Sequence, residues 1–219
     1  MHLKRQQTPK SWPVYRKGTK YVVRPSSDPR NSIPLLVVLR DLLKVVQKRK
    51  EARRAIFTKE ILVNQKTPKD GKHPVYLFDT ISIVPEKKNY RLDLSGRGKF
   101  EAREISEAEA ARKAVKIINK RMLRGKEVQL NLLDGRNLLS KEKCSVNDSV
   151  LIDLKNRKIE KCLHFKDGAK AVVFMGKHAG KRGIIKAIDK EKKTVELETG
   201  EKSKINVLIK QIMVTGGDE

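Results

Sequence analysis

The longest apolar run in the chain, IPLLVVLRDLL at residues 33–43, is broken by Arg40 and Asp41. Elsewhere a Lys or Arg interrupts every apolar stretch within a few residues. A large single core needs long or densely periodic apolar segments, so this pattern predicts several small modules, each with its own modest core. No run approaches the roughly 18 apolar residues of a membrane-spanning helix. The opening MHLKRQQTPKSW lacks the apolar centre of a secretion signal, and the expectation is a cytoplasmic protein without a membrane partner.

Charge narrows the partner. The 219 residues hold 51 Lys and Arg against 26 Asp and Glu, a formal net charge of +25. A compact body with that self-repulsion points to a polyanion: nucleic acid, an anionic membrane surface or an acidic protein. The cations are spread along the whole chain, which favours a basic folded body over a tethering tail.

Residues 1–31 read as a basic, Pro-punctuated arm in extended pieces laid against a partner. Its cations, Lys4, Arg5, Arg16 and Lys17 among them, are candidates for phosphate contact. Trp12 and Tyr15 are candidate exposed rings for base stacking. SIPLLVVLRDLLKVV predicts a buried helix capped by Ser32, with Pro34 in its first turn. Its apolar stripe is Leu35, Val38, Leu39, Leu42 and Val46. KRKEARRAIF predicts a second helix with Ala52, Ala55 and Ile56 inward and Lys48, Arg49, Arg53 and Arg54 outward. EILVNQK and FDTISIV read as short strands.

From residue 88 the character changes. YRLDLSGRGKFEAREI predicts a hairpin around a glycine-rich turn. SEAEAARKAVKIINKRML predicts a helix opened by a Ser106–Glu109 capping box. In EVQLNLLDGRNLL, alternating apolar residues around Asp134-Gly135 predict a second hairpin. DSVLIDLKNRKIEKCL adds another strand pair. Residues 88–165 are thus expected to form a small sheet packed on one helix, and 166–219 a small β-barrel and tail.

The barrel contains MGKHAGKRGII, which invites comparison with a nucleotide loop. A phosphate loop of the GxxxxGK[ST] kind needs four residues between its glycines, a Ser or Thr for magnesium, and a following helix. Here three residues separate Gly176 from Gly180, Arg182 stands at the hydroxyl position, and the β-branched residues that follow predict a strand. No Ser/His/Asp or Cys/His arrangement is evident. The only cysteines, Cys144 and Cys162, form no CxxC pair, and a metal site would have to gather distant ligands. The expectation is no enzyme, no cofactor, no metal and no small-molecule substrate.

Three resemblances carry the reading further. Strand–GKHAGKRG–strand resembles the KOW motif, in which a glycine-bearing loop between two barrel strands contacts RNA or protein. This implies contacts through Lys177, His178, Lys181 and Arg182. Glu51-Ala52-Arg53, Ile56, Ile61, Val63-Asn64, Asp79 and Ile81 resemble the αL RNA-binding module. It implies RNA contacts through Lys48, Arg49, Arg53, Arg54 and Lys66. Lys59 and Gln65 stand where that module carries glycine, so altered turns are expected there.

The order of modules, with HLKR, WPV, RKGTKYVVRP, SIPLLVVLRD, VQLNLLDGRNLL and MGKHAGKRGII, resembles the archaeal–eukaryotic family of small-subunit ribosomal protein four, and the archaeal type in particular. The resemblance implies an α+β, multi-module chain: arm 1–31, αL module 32–87, central sheet with one helix 88–165, and KOW-type barrel 166–219. It implies a structural constituent of the small ribosomal subunit, bound to its rRNA and to neighbouring ribosomal proteins. A KOW-containing transcription-elongation factor and an rRNA-modification accessory protein are the alternatives.

Overall fold

The computed structural model describes residues 2–125, 127–140, 143–200 and 203–216. The chain is mostly β with few helices and divides into two compact units, Met1–Ser95 with Lys99–Ala111, and Gly96–Gly98 with Arg112–Glu219.

In the first unit β1 (Leu3–Lys4) and β2 (Tyr21–Val22) form a short antiparallel ladder. β3 (Ser32–Pro34) leads into α1 (Leu35–Val37), which continues as a wider turn, Val38–Leu42. The apolar run from Ile33 to Leu39 is buried on all faces, Leu36 and Val37 outside the predicted stripe included, while Leu42 of that stripe is half-buried. Its cap is not the expected one. Ser32 lies in β3 and donates its hydroxyl to the Asp28 carbonyl at 2.6 Å. Pro34 takes the N-cap position with extended backbone, and it holds Ile33 before it in extended geometry, so β3 runs up to the helix start.

α2 (Arg49–Phe57) is followed by β4 (Ile61–Val63), β5 (Pro74–Tyr76), β6 (Thr80–Ile83), β7 (Lys88–Leu94), β8 (Phe100–Ile105) and α3 (Glu107–Ala110). β5 pairs with β3, and a four-stranded sheet has the order β4-β6-β7-β8. The predicted hairpin β7–β8 therefore continues the sheet begun by β4 and β6, through pairs such as Ile81↔Tyr90. It does not join the strands that follow residue 111.

The second unit corrects the largest expectation. The predicted helix over residues 106–123 is one turn, α3, capped by Ser106 Oγ accepting from Glu109 N at 3.4 Å, and then a strand, β9 (Arg112–Met122). Val115, Ile117 and Ile118 are β-branched and favour the pleated conformation. Residues 113–117 are all buried, as in a strand covered on both faces, and such a run carries no period-2 signature to read. β9 is the centre of a five-stranded sheet, β11-β10-β9-β12-β13, with β10 (Val128–Leu132), β11 (Asn137–Ser140), β12 (Ser149–Asp153) and β13 (Lys158–Leu163). Val115, Ile117, Leu130, Leu132, Val150 and Ile152 form its core with Cys144. The Asp134-Gly135 hairpin is present, with Gly135 at φ +79°.

The chain then forms β14 (Lys170–Val173), β15 (Arg182–Asp189), β16 (Thr194–Thr199), β17 (Lys204–Leu208) and β18 (Ile212–Val214), ordered β17-β16-β15-β14-β18. The sheet wraps as a half-barrel around Ala171, Val173, Ile185, Leu197, Val207 and Ile212.

Two buried lysines organise this unit. Lys113 Nζ donates to Asp134 Oδ2 at 2.7 Å, with side-chain exposures of 1% and 3%. Lys116 Nζ, buried on the other face of β9, donates to the carbonyls of Ile209 at 2.5 Å and Ile212 at 2.7 Å. Among the described residues it has no carboxylate partner, and burial pulls its pKa down to about 8.

Candidate nucleic-acid interface

In the arm, Lys4, Arg16 and Lys17 are exposed. Arg5 is committed internally. Its guanidinium donates to the Thr19 carbonyl at 2.6 Å, the Tyr15 carbonyl at 2.5 Å and Thr19 Oγ1 at 2.8 Å, closing the segment between β1 and β2. The planar fork suits three acceptors at once, which Lys could not replicate. Trp12 is 2% exposed, so it is a core residue and not a stacking platform, whereas Tyr15 is 89% exposed. Leu3, Trp12 and Val22 give the arm its own buried side, so it packs as part of the first unit.

α2 carries the densest group of predicted contacts. Glu51 Oε2 accepts from the amides of Lys48 at 3.1 Å and Gln47 at 2.8 Å, half of a capping box. Lys48 has no acceptor with which to return the bond. These amides, Lys48's first and then Gln47's, hold the Glu51 carboxyl below its ordinary pKa. Ala52 and Ile56 face inward, and Lys48, Arg49, Arg53 and Arg54 are exposed. At the far end Lys59 is left-handed at φ +60°, and Glu60 N closes on the Ala55 carbonyl at 3.0 Å. That is the helix stop usually made with glycine. Gln65 is left-handed too, at φ +62°. Both turns are therefore kept without glycine, contrary to the expected alteration, and the cost is held as backbone strain.

The motif residues Asn64 and Asp79 have a structural role. Asp79 Oδ1 accepts from Asn64 Nδ2 at 2.7 Å, its Oδ2 from Tyr76 N at 2.7 Å, and Asn64 Oδ1 from Thr80 N at 3.1 Å. This buried network fixes the strand pair behind α2. Lys66 is exposed beside it, its backbone bridged to Val63.

A groove of about 1270 Å³ runs along α2. One wall is the exposed helix face with Arg49, Arg53 and Arg54, and the other is the loop of residues 67–72 with Lys69 and Lys72. Tyr21 and Arg24 line it as well. The structure thus joins the arm and α2 in one surface. Sequence reasoning missed Lys50, Phe57, Lys59, Lys69 and Lys72. The signal for Phe57 was present, since it follows Arg49 and Arg53 at helical i, i+4 spacing.

In the second unit, MGKHAGKRGII forms the β14–β15 connection. Gly176 and Gly180 are left-handed at φ +90° and +88°, and Gly180 N closes onto the Val173 carbonyl at 2.7 Å. A Cβ on Gly183 would collide with the Glu198 carbonyl of the paired strand, so glycine is required there. Lys177 is exposed, while His178, Lys181 and Arg182 are half-buried. A strand follows the loop, so no helix dipole aims at it.

The structure also brings Asp148 to Cys162 and His164, which lie two residues apart in sequence. Asp148, Cys162 and His164 have donor atoms within 4.8 Å of one another. Asp148 Oδ1 accepts from Phe165 N at 2.9 Å. Its Oδ2 accepts from Ser145 N at 2.9 Å, faces His164 Nδ1 at 3.0 Å and accepts from Cys162 Sγ at 3.8 Å. The buried carboxylate ties two loops together and draws the thiol to itself, unlike a cysteine–imidazole pair in which the ring takes the thiol proton.

A β-rich scaffold with a formal net charge of +25, whose basic helix α2 exposes Arg49, Arg53 and Arg54 with no acidic partner among the described residues, is that of a polyanion-binding protein. The comparisons make this particular. The family model described as Ribosomal family S4e matches residues 86–159, and the one described as RS4NT (NUC023) domain matches residues 1–29. Small ribosomal subunit protein eS4 of Methanothermobacter thermautotrophicus is 36% identical over 225 residues, covering 100% of this chain and 93% of its own. Its counterpart in Archaeoglobus fulgidus is 40% identical over 189 residues, with 85% and 80% covered. The crystal structure of the 30S ribosomal protein S4e from Thermoplasma acidophilum has a TM-score of 0.73 at 25% identity, covering 86% of this chain and 96% of that one. The chain belongs to the ribosomal family S4e, a family of ribosomal structural proteins and not of enzymes.

Proposed function

We propose that this chain is a structural constituent of the small ribosomal subunit, held in the cytoplasmic ribosome by its rRNA and by neighbouring ribosomal proteins. The observation that carries the reading is the match over its full length to relatives named small ribosomal subunit protein. The charge of +25 supports it, because a body lodged among RNA segments has its self-repulsion relieved by phosphates. The same full-length match disfavours an elongation factor or a modification accessory, either of which would share only a module.

Within this reading residues 1–31 are the arm, 32–87 act as the αL module with the 88–105 hairpin extending its sheet, 112–165 form the centre and 166–219 supply the KOW-type barrel. Lys4, Arg16 and Lys17 carry the arm's phosphate contacts, with Arg5 positioning them. Lys48, Arg49, Arg53, Arg54 and Lys66 carry those of the αL module. Lys177, His178, Lys181 and Arg182 carry those of the KOW loop. Sucrose-gradient sedimentation of the native protein tests the assignment. Co-migration with the small subunit through moderate salt is expected; persistent absence from that peak, or retention on salt-washed RNA polymerase, overturns it.

A further inference from the structure

Phe57 is 85% exposed at the end of the basic helix, on the same groove wall as Arg53 and Arg54. It is not part of the unit's core, where Ala52 and Ile56 fill the inward face of α2. The groove it lines carries eight Lys and Arg side chains and a single carboxylate, Asp70, whose Oδ1 already accepts from the Lys72 amide at 2.8 Å. Among the described residues Arg49, Arg53, Arg54, Lys59 and Lys69 have no acidic partner.

We infer that this groove holds a single-stranded segment of RNA, with its phosphates on the α2 cations and one unpaired base stacked on the Phe57 ring. The inference deepens the ribosomal reading above and rests on it. A phenyl ring offers neither charge nor hydrogen bond, so a phosphate backbone alone leaves it unsatisfied. The apolar part of a polyanion is the face of a base, and that face is free only where the strand is unpaired. An A-form duplex presents phosphates and 2′-hydroxyls but no base face, so it would use the arginines and leave Phe57 in water. A protein neighbour that covered the ring would also have to bring carboxylates to the eight surrounding cations, whereas one RNA strand supplies phosphates and a base face together. Arg49, Arg53 and Phe57 follow one another at i, i+4, each step rising about 6 Å along the helix. Charge and ring therefore lie in one line, as a strand passing along the groove requires.

The test measures binding of labelled oligouridylate, and of an RNA duplex of equal phosphate content, to the full chain and to Phe57→Ala and Phe57→Tyr over a range of salt. Phe57 is exposed, so the variants should fold, which circular dichroism checks. Phe57→Ala should bind the single strand about tenfold more weakly, the size of one base–aromatic stack. Its salt slope and its duplex affinity should stay unchanged, and Phe57→Tyr should behave as the parent. Equal losses on both RNAs, or none on the single strand, overturn the stack. If Phe57→Ala keeps both affinities but is lost from assembled subunits, the ring contacts protein and the inference is wrong. A parent chain that binds neither RNA overturns the ribosomal reading together with the stack, a result distinct from a silent Phe57 variant.

Discussion

Replacing Asp134 by Asn tests whether the second unit depends on its buried ion pair. The substitution removes the negative charge 2.7 Å from Lys113 Nζ but keeps an oxygen able to accept from the Arg136 amide, as Asp134 Oδ1 does at 3.1 Å. Burial pushes the Asp134 carboxyl up, but Lys113 and then Arg136 outweigh it and hold the group below its ordinary pKa, so it is ionised at neutral pH. With 1% of the Lys113 side chain exposed, its ammonium loses this counter-charge where bulk water cannot replace it. Removing one partner of such a pair costs about 3–5 kcal/mol. At a urea m-value of about 1–3 kcal/mol/M, the midpoint followed by circular dichroism should fall by about 1 M or more. Adding Lys113→Met should recover most of the loss, because a well-packed apolar replacement of both members is often neutral. The Asp134 contribution should be present above about pH 4, the unfolded carboxyl value, and be lost as pH falls through the lowered folded value. A single variant within about 0.5 kcal/mol of the parent, or a double variant less stable than the single, would refute the reasoning.

Three further outcomes follow from the same geometry. Arg49→Glu with Arg53→Glu should reduce the slope of log K against log salt by about 1.4–1.8, two lost phosphate contacts at about 0.7–0.9 each; an unchanged slope in filter binding removes both residues from the interface. Lys116 has a folded pKa of about 8 against an ordinary 10.5, so the unfolded chain binds more protons in that window. Its share of stability should rise by about 3 kcal/mol as pH climbs from 8 to 10.5, and thermal melts of Lys116→Met should lack that share. Lys59→Gly should stabilise the first unit by about 1 kcal/mol by relieving a left-handed lysine, and calorimetry showing a loss would mean the strain is compensated elsewhere.

Much of the candidate interface was legible because exposed cations on an amphipathic helix declare themselves. Ala52 and Ile56 set the inward face of α2, and that alone puts Arg49, Arg53 and Arg54 outside. The glycines of the β14–β15 loop were equally readable, since two left-handed positions and one close backbone approach admit little else. The mistakes came where contacts from distant residues overrode local pattern. KAVKIIN after a capping box carries helix-compatible spacing. It became a strand because β10 and β12 flank it and bury residues 113–117 together. Trp12 looked like an exposed ring in a basic arm, and only the packing of the unit buries it. Arg5 looked like a phosphate ligand until Thr19 and Tyr15 were placed around its guanidinium.

The sequence by itself determined the charge, the basic face of one helix, the turn glycines and the family. These depend on residue type and on spacing within one element, where helix and strand periods act over a few residues. The tertiary structure decided which lysines are exposed and which are buried, as Lys113 and Lys116 are, and it placed Asp148 beside Cys162 and His164. It also joined the arm, α2 and the 67–72 loop into one groove lined by Phe57. Those outcomes depend on which distant segments meet, and chain closure over tens of residues leaves no mark in the local pattern.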